Sequence, residues 1–125
     1  MVIESWAFRD PRLYGLLIAD PEPTIVWNTS LPMAERRLWI ANALYYHSVG
    51  CTDVICYIAA GRALRPAHPS VVFSLIDDDS LETAQARCGP DLPAIARALQ
   101  VPESVVKTYV TFTRRTCCKY AISAD

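Results

Sequence analysis

Apolar residues fall in short blocks over residues 1–30 and then at helical spacing over much of the remaining chain. Gly15 to Ala19 is an apolar run, followed by the turn-forming Asp20-Pro21-Glu22-Pro23. Thr24-Ile25-Val26-Trp27 is rich in β-branched and aromatic residues, and Asn28-Thr29-Ser30 closes it. The pattern predicts two short strands paired as a hairpin. Proline in the connection restricts the turn and keeps it from extending the pairing.

A helix is predicted next. Ala34 to Ser48 contains neither Gly nor Pro, and Leu38, Ala41, Leu44 and Tyr45 recur at helical spacing. Ser30 is the expected N-cap, Pro32 falls near the first turn and Gly50 is the expected stop. A second helix is expected from Thr52 to about Leu64, ended by Pro66. Val71 to Ile76 reads either as a strand or as a short helix. Asp77-Asp78-Asp79-Ser80 reads as an exposed loop, with Asp79 or Ser80 capping a short helix that ends at Gly89-Pro90. Asp91 is expected to cap a helix through Leu99. After the break at Gln100-Val101-Pro102, another helix should run to about Thr113. No structure is assigned to the basic tail, Arg114-Arg115-Thr116-Cys117-Cys118-Lys119. The expected architecture is α+β in one domain of 125 residues: strand-rich 1–30, helical 31–113, basic tail 114–125.

Composition narrows the function classes. Hydrophobic residues make up 52% and charged residues 20%, which argues against disorder. Lys plus Arg is 12 and Asp plus Glu is 13, a net charge of -1, so bulk charge does not point to nucleic acid. A local basic patch stays open. No apolar run approaches the roughly 18 residues of a membrane span, so no membrane partner is expected. Met1-Val2-Ile3-Glu4-Ser5-Trp6 lacks the basic start and apolar stretch of a secretory leader. The five cysteines then read as free thiols in a reducing cytoplasm. Cys51 with Cys56, and Cys117 with Cys118, fit no zinc spacing. Asp77-Asp78-Asp79 lacks the alternation and central Gly of a calcium loop.

The segment Leu31-Pro32-Met33-Ala34-Glu35-Arg36-Arg37-Leu38-Trp39-Ile40-Ala41-Asn42-Ala43-Leu44-Tyr45-Tyr46 resembles the zinc helix of ImmA/IrrE-type metallopeptidases, especially the short forms of actinobacteria and their phages. There the stretch reads roughly L-S-x-A-E-R-R-x-x-L-A-H-E-L-x-H; Leu31, Ala34, Glu35, Arg36, Arg37, Ala41 and Leu44 match. Asp53 through Pro66 and Asp91 through Val106 resemble the family's later helices. The likeness covers roughly Thr24 to Phe112. It implies a zincin-like body with a small N-terminal β layer.

The departures fall on the chemistry. Two His one helical turn apart bind one zinc, and the Glu between them activates water. The matched positions here are Asn42, Ala43 and Tyr46. The family's downstream carboxylate ligand would fall near Asp53. Without the base, water activation loses its proton acceptor, a contribution of about 10²–10⁴-fold. The resemblance therefore implies a pseudopeptidase with no cofactor. It would act in the cytoplasm, the host's if phage-encoded, by binding a protein such as a repressor, in phage or mobile-element regulation.

Individual residues carry further expectations. Asn42, Tyr46 and Asp53 are expected as a polar cluster, either plugging the former metal site or forming a cleft. His47 is turned about 100° from the Tyr46 face. It is a candidate partner contact, and the one residue of this helix able to rescue a metal site in a remodelled zinc peptidase. Trp39 is a candidate protein-contact anchor, with core packing as the rival reading. His68 reads as a loop residue. The pair of helices around Gln100-Val101-Pro102 resembles a helix-turn-helix, so a DNA-binding regulator is the alternative. Lys107, Arg114, Arg115 and Lys119 would then meet phosphates.

Overall fold

The antiparallel pairing of β2 (Leu13–Ile18) with β3 (Thr24–Asn28) is the local nucleus of a four-stranded sheet. It is the hairpin expected from the sequence, and the Asp20-Pro21 peptide in its connection is cis. β1 (Val2–Trp6) joins the far side of β3 in parallel, Val2 opposite Thr24 and Trp6 opposite Asn28. The computed structural model describes residues 1–51, 53–58 and 62–124, with residues 114–124 described by backbone alone.

α1 (Met33–Ser48) follows β3 and lies against β2 and β3. Ser30 does not cap it. The N-cap position is Pro32, which offers no side-chain acceptor, and Ser30 donates from its backbone N–H and hydroxyl to Asn28 Oδ1 at 3.1 and 3.0 Å. The same Asn28 amide donates to Leu13 O at 2.9 Å, tying β3 to β2. Gly50 stops the helix as expected, at φ 86, a conformation that glycine adopts without a Cβ clash.

The helix expected over Thr52 to Leu64 is absent from the described residues of that stretch, 53–58 and 62–64, and its expected cap, Thr52, lies outside them. Val54–Tyr57 is instead a strand, β4, antiparallel to β2. Its residues alternate between half-buried and exposed, and Val54, Ile55 and Tyr57 are of strand-favouring types. The sheet order is β1-β3-β2-β4. The β layer therefore takes a strand from a stretch whose sequence predicts helix.

Four more helices complete the body among the described residues. The ambiguous Val71–Ile76 stretch is mostly helix: α2 (Pro69–Leu75) buries Val71 and Val72. α3 (Asp78–Cys88) is capped by Asp77, not by Asp79 or Ser80. Asp77 accepts from Ser80 N–H, and the Ser80 hydroxyl answers the Asp77 N–H, a reciprocal capping box. α4 (Leu92–Leu99) is capped by Asp91 as expected. α5 (Glu103–Ala124) continues well past the expected end at Thr113, through the basic tail.

The architecture is α+β. α2 packs on α1 and α5, and α4 packs on α3 and α5, so α1 lies between the sheet and the other helices. One core runs through both sides of α1. Leu17, Ile25, Leu38 and Trp39 meet there with Val72, Val105 and Tyr109. Each fully buried aliphatic side chain contributes roughly 1.5–3 kcal/mol relative to exposure. No helix is long and apolar enough to cross a membrane, among the described residues.

Candidate functional site

Because α1 is covered on two sides, Asn42 and Ala43 point into packed surroundings. Asn42 is 2% exposed. Its amide donates from Nδ2 to Arg65 O at 3.0 Å, and its Oδ1 accepts from Ala67 N at 2.9 Å. Both ends of the side chain thus hold one short stretch of backbone. A buried amide with donor and acceptor both paired is satisfied, and leaving its partners orphaned costs energy. Ala43 is fully buried and has no proton acceptor.

Tyr46 is half-buried, and burial first, then the neighbouring Cys56 and Cys51, push its phenol above the ordinary range. Its ring meets Tyr45 edge-on at 5.9 Å, and Tyr45 stacks on His68 at 4.8 Å. Asp53 is exposed and accepts from Ala19 N at 3.2 Å, at the end of β2. The three residues expected as one polar cluster therefore take separate partners, and no hydrogen bond joins any two of them among the described residues. Geometry dictates this. Once β4 pairs with β2, Asp53 is held beside the strand end rather than on a helix facing α1.

Of the two readings of Trp39, protein contact and core packing, the structure shows the second. Its indole is wholly buried, and Nε1 donates to Val26 O at 2.8 Å. It joins α1 to the sheet and has no surface to offer a partner. His47 is exposed near the end of α1. His68 does more than a loop residue: its Nδ1 accepts from Ser70 N at 3.1 Å and so caps α2. Among the described residues no group of three or more His, Cys, Asp or Glu side chains could hold a metal ion.

The Glu35-Arg36-Arg37 run divides into three roles. The Arg37 guanidinium donates to Leu99 O and Gln100 O at 2.8 and 2.9 Å, satisfying the carbonyl end of α4. Arg36 lies over the Trp27 ring at 4.7 Å. Glu35 faces a groove of about 1360 Å³. This groove runs between the start of α1, the end of β4, the segment after it, α4 and the start of α5. Arg62, Arg65, Arg97 and Lys107 line it, with Glu35 and Glu103 as its carboxylates. None of the six is in an ion pair among the described residues, where the single ion pair is Arg12–Asp10.

Lys107 is thus placed in a groove, while the side chains of Arg114, Arg115 and Lys119 lie outside the described residues. The turn between α4 and α5 has Gln100 in the left-handed conformation, φ 57. At the start of α5 the Ser104 hydroxyl donates to Leu64 O at 2.8 Å and that of Thr108 to Ser104 O at 2.8 Å. Both face the chain's own groove. Sequence reasoning missed this groove. Its cations lie at positions 62, 65, 97 and 107, too scattered to register as a patch along the chain.

Comparison with known proteins adds no relative to this description: no family model, no curated protein and no solved structure matches the chain.

Proposed function

We propose that the chain is a non-catalytic, ImmA/IrrE-like pseudopeptidase that works by binding another protein, in phage or mobile-element regulation through a repressor. The observation that carries this reading is the Asn42 clamp. At the position matching the family's first zinc ligand stands a buried amide whose two ends hold Arg65 O and Ala67 N. A side chain committed in this way serves the packing of the body. The matched base position, Ala43, carries no acceptor for the proton of an attacking water.

A DNA-binding regulator finds less support. Ser104 and Thr108 would have to read bases, yet both hydroxyls are engaged within the chain. Glu103, at the entry of the same helix, repels phosphate.

Two measurements test the proposal. Elemental analysis of protein purified without a metal-affinity tag should find no stoichiometric zinc, and one zinc per chain overturns the reading. Crosslinking capture in the native host should return a specific protein that captures this chain in the reverse experiment. Failure of reciprocal capture also overturns it.

A further inference from the structure

We propose that the groove between β4 and α5 receives an acidic segment of the partner protein, bound in extended form. The inference rests on the protein-binding reading above and names the chemistry of the partner.

Charge is the first support. Arg62, Arg65, Arg97 and Lys107 come from three separate parts of the chain to one concavity, against Glu35 and Glu103. The four cations have no carboxylate partner among the described residues. Like charges gathered in a cleft focus a positive potential, which draws an acidic ligand and raises its association rate.

Shape is the second support. At about 1360 Å³ the groove exceeds the roughly 300–1,000 Å³ typical of small-molecule sites. One wall is the end of β4, Tyr57 and the following Ile58. β4 pairs with β2 on one side and, among the described residues, has no strand on its other side. That edge meets the groove at Tyr57, where strand addition can begin, with main-chain hydrogen bonds supplying affinity and neighbouring side chains selectivity.

The two carboxylates decide between polyanions. A nucleic-acid strand carries a phosphate at every step and would bring charge against Glu35 and Glu103. A peptide can set an uncharged residue opposite each of them and its own carboxylates opposite the arginines.

The test uses the full chain and a short fluorescein-labelled peptide of alternating glutamate and valine, read by anisotropy. Its lysine counterpart and a single-stranded oligodeoxynucleotide of equal length are the comparison probes. The glutamate peptide should bind, lose affinity as salt rises, and outcompete both other probes. Methylating alternate backbone nitrogens of the peptide should abolish binding, as strand addition requires. Arg65→Glu with Lys107→Glu should weaken binding by at least about tenfold. If that pair fails to fold by circular dichroism, Arg62→Gln with Arg97→Gln takes its place.

Equal binding of the glutamate and lysine peptides, tighter binding of the oligonucleotide, or an unchanged affinity in a folded variant overturns the proposal. If the peptide does not bind while reciprocal capture still returns a partner protein, the groove assignment fails alone. If both fail, the protein-binding reading fails with it.

Discussion

Gly15 lies directly beneath the indole of Trp39: a Cβ at residue 15 would stand 2.1 Å from Trp39 Nε1 and 2.2 Å from the Val26 carbonyl oxygen. The absence of a side chain on β2 lets α1 approach the sheet and place its indole N–H on the β3 backbone. Gly15→Ala should therefore destabilise the fold by about 1–3 kcal/mol or more, since the Val26 carbonyl cannot move aside as a side-chain end can. Trp39→Ala should cost roughly 3–5 kcal/mol. Urea unfolding midpoints check both values, and an unchanged midpoint for Gly15→Ala would contradict the packing.

Asn42 gives a second prediction. Asn42→Ala leaves Arg65 O and Ala67 N, both part-buried, without their partner and should cost about 1–3 kcal/mol. The triple change Asn42→His, Ala43→Glu and Tyr46→His places the ImmA/IrrE-type ligand pattern on α1. It should lower the thermal midpoint and gain no stoichiometric zinc, because position 42 supports the 65–67 backbone and Ala43 has no free space around it. Zinc titration by calorimetry reads the outcome.

Alkaline pH should unfold the protein through its buried phenols and thiol. Burial first, then the hydrogen bond that Tyr109 donates to Asp78, push the Tyr109 phenol up to about 12 from an ordinary value near 10. Burial pushes the Cys56 thiol up to about 11 from near 9. In each case the native state keeps a proton that the unfolded chain releases. Their contributions are therefore complete below about pH 9 and are lost as pH rises through 11 to 12. Tyr109→Phe should flatten the upper part of this decline. Denaturant unfolding from pH 8 to 12 measures it.

Thiol chemistry should separate two cysteines on neighbouring positions of the fold. Cys51 is exposed, whereas Cys56 is half-buried, with a thiol at about 11 that holds little thiolate near neutrality. A short pulse of iodoacetamide at pH 8 should label Cys51 well ahead of Cys56, with the difference vanishing in denaturant. Peptide mass spectrometry resolves the two sites, and faster labelling of Cys56 would contradict the burial.

Local signals in the sequence located β2, β3, α1 and the Asp91 cap, because each rests on neighbouring residues. The stretch holding β4 predicts helix because Thr52 is a cap type and Pro66 a stop, although Val54-Ile55-Cys56-Tyr57 between them is of strand-favouring composition. What decided the strand was the open edge of β2, a partner far off in sequence. Ser30 looked like a cap because its type is right, but Asn28 reaches it first. His68 gave no signal as a cap, since histidine seldom fills that role. Asn42 stands out in the sequence as a polar residue on a largely apolar helix face. Its actual partners do not, because Arg65 and Ala67 come to it only through the fold. The groove cations were hidden for the same reason.

The placement of β4 has a consequence for the chain as it is synthesised. β1, β2 and β3 are all available once residue 28 has emerged, yet the outer edge of β2 receives its partner only after the sixteen residues of α1 and the whole of Val54–Tyr57 have followed. In that interval the edge displays Gly15-Leu16-Leu17 with its backbone groups unpaired, a template for pairing between nascent chains. β4 is thus a late-arriving guard. A fragment that ends within α1, whether from stalled translation or from proteolysis, carries the hazard that the complete chain closes.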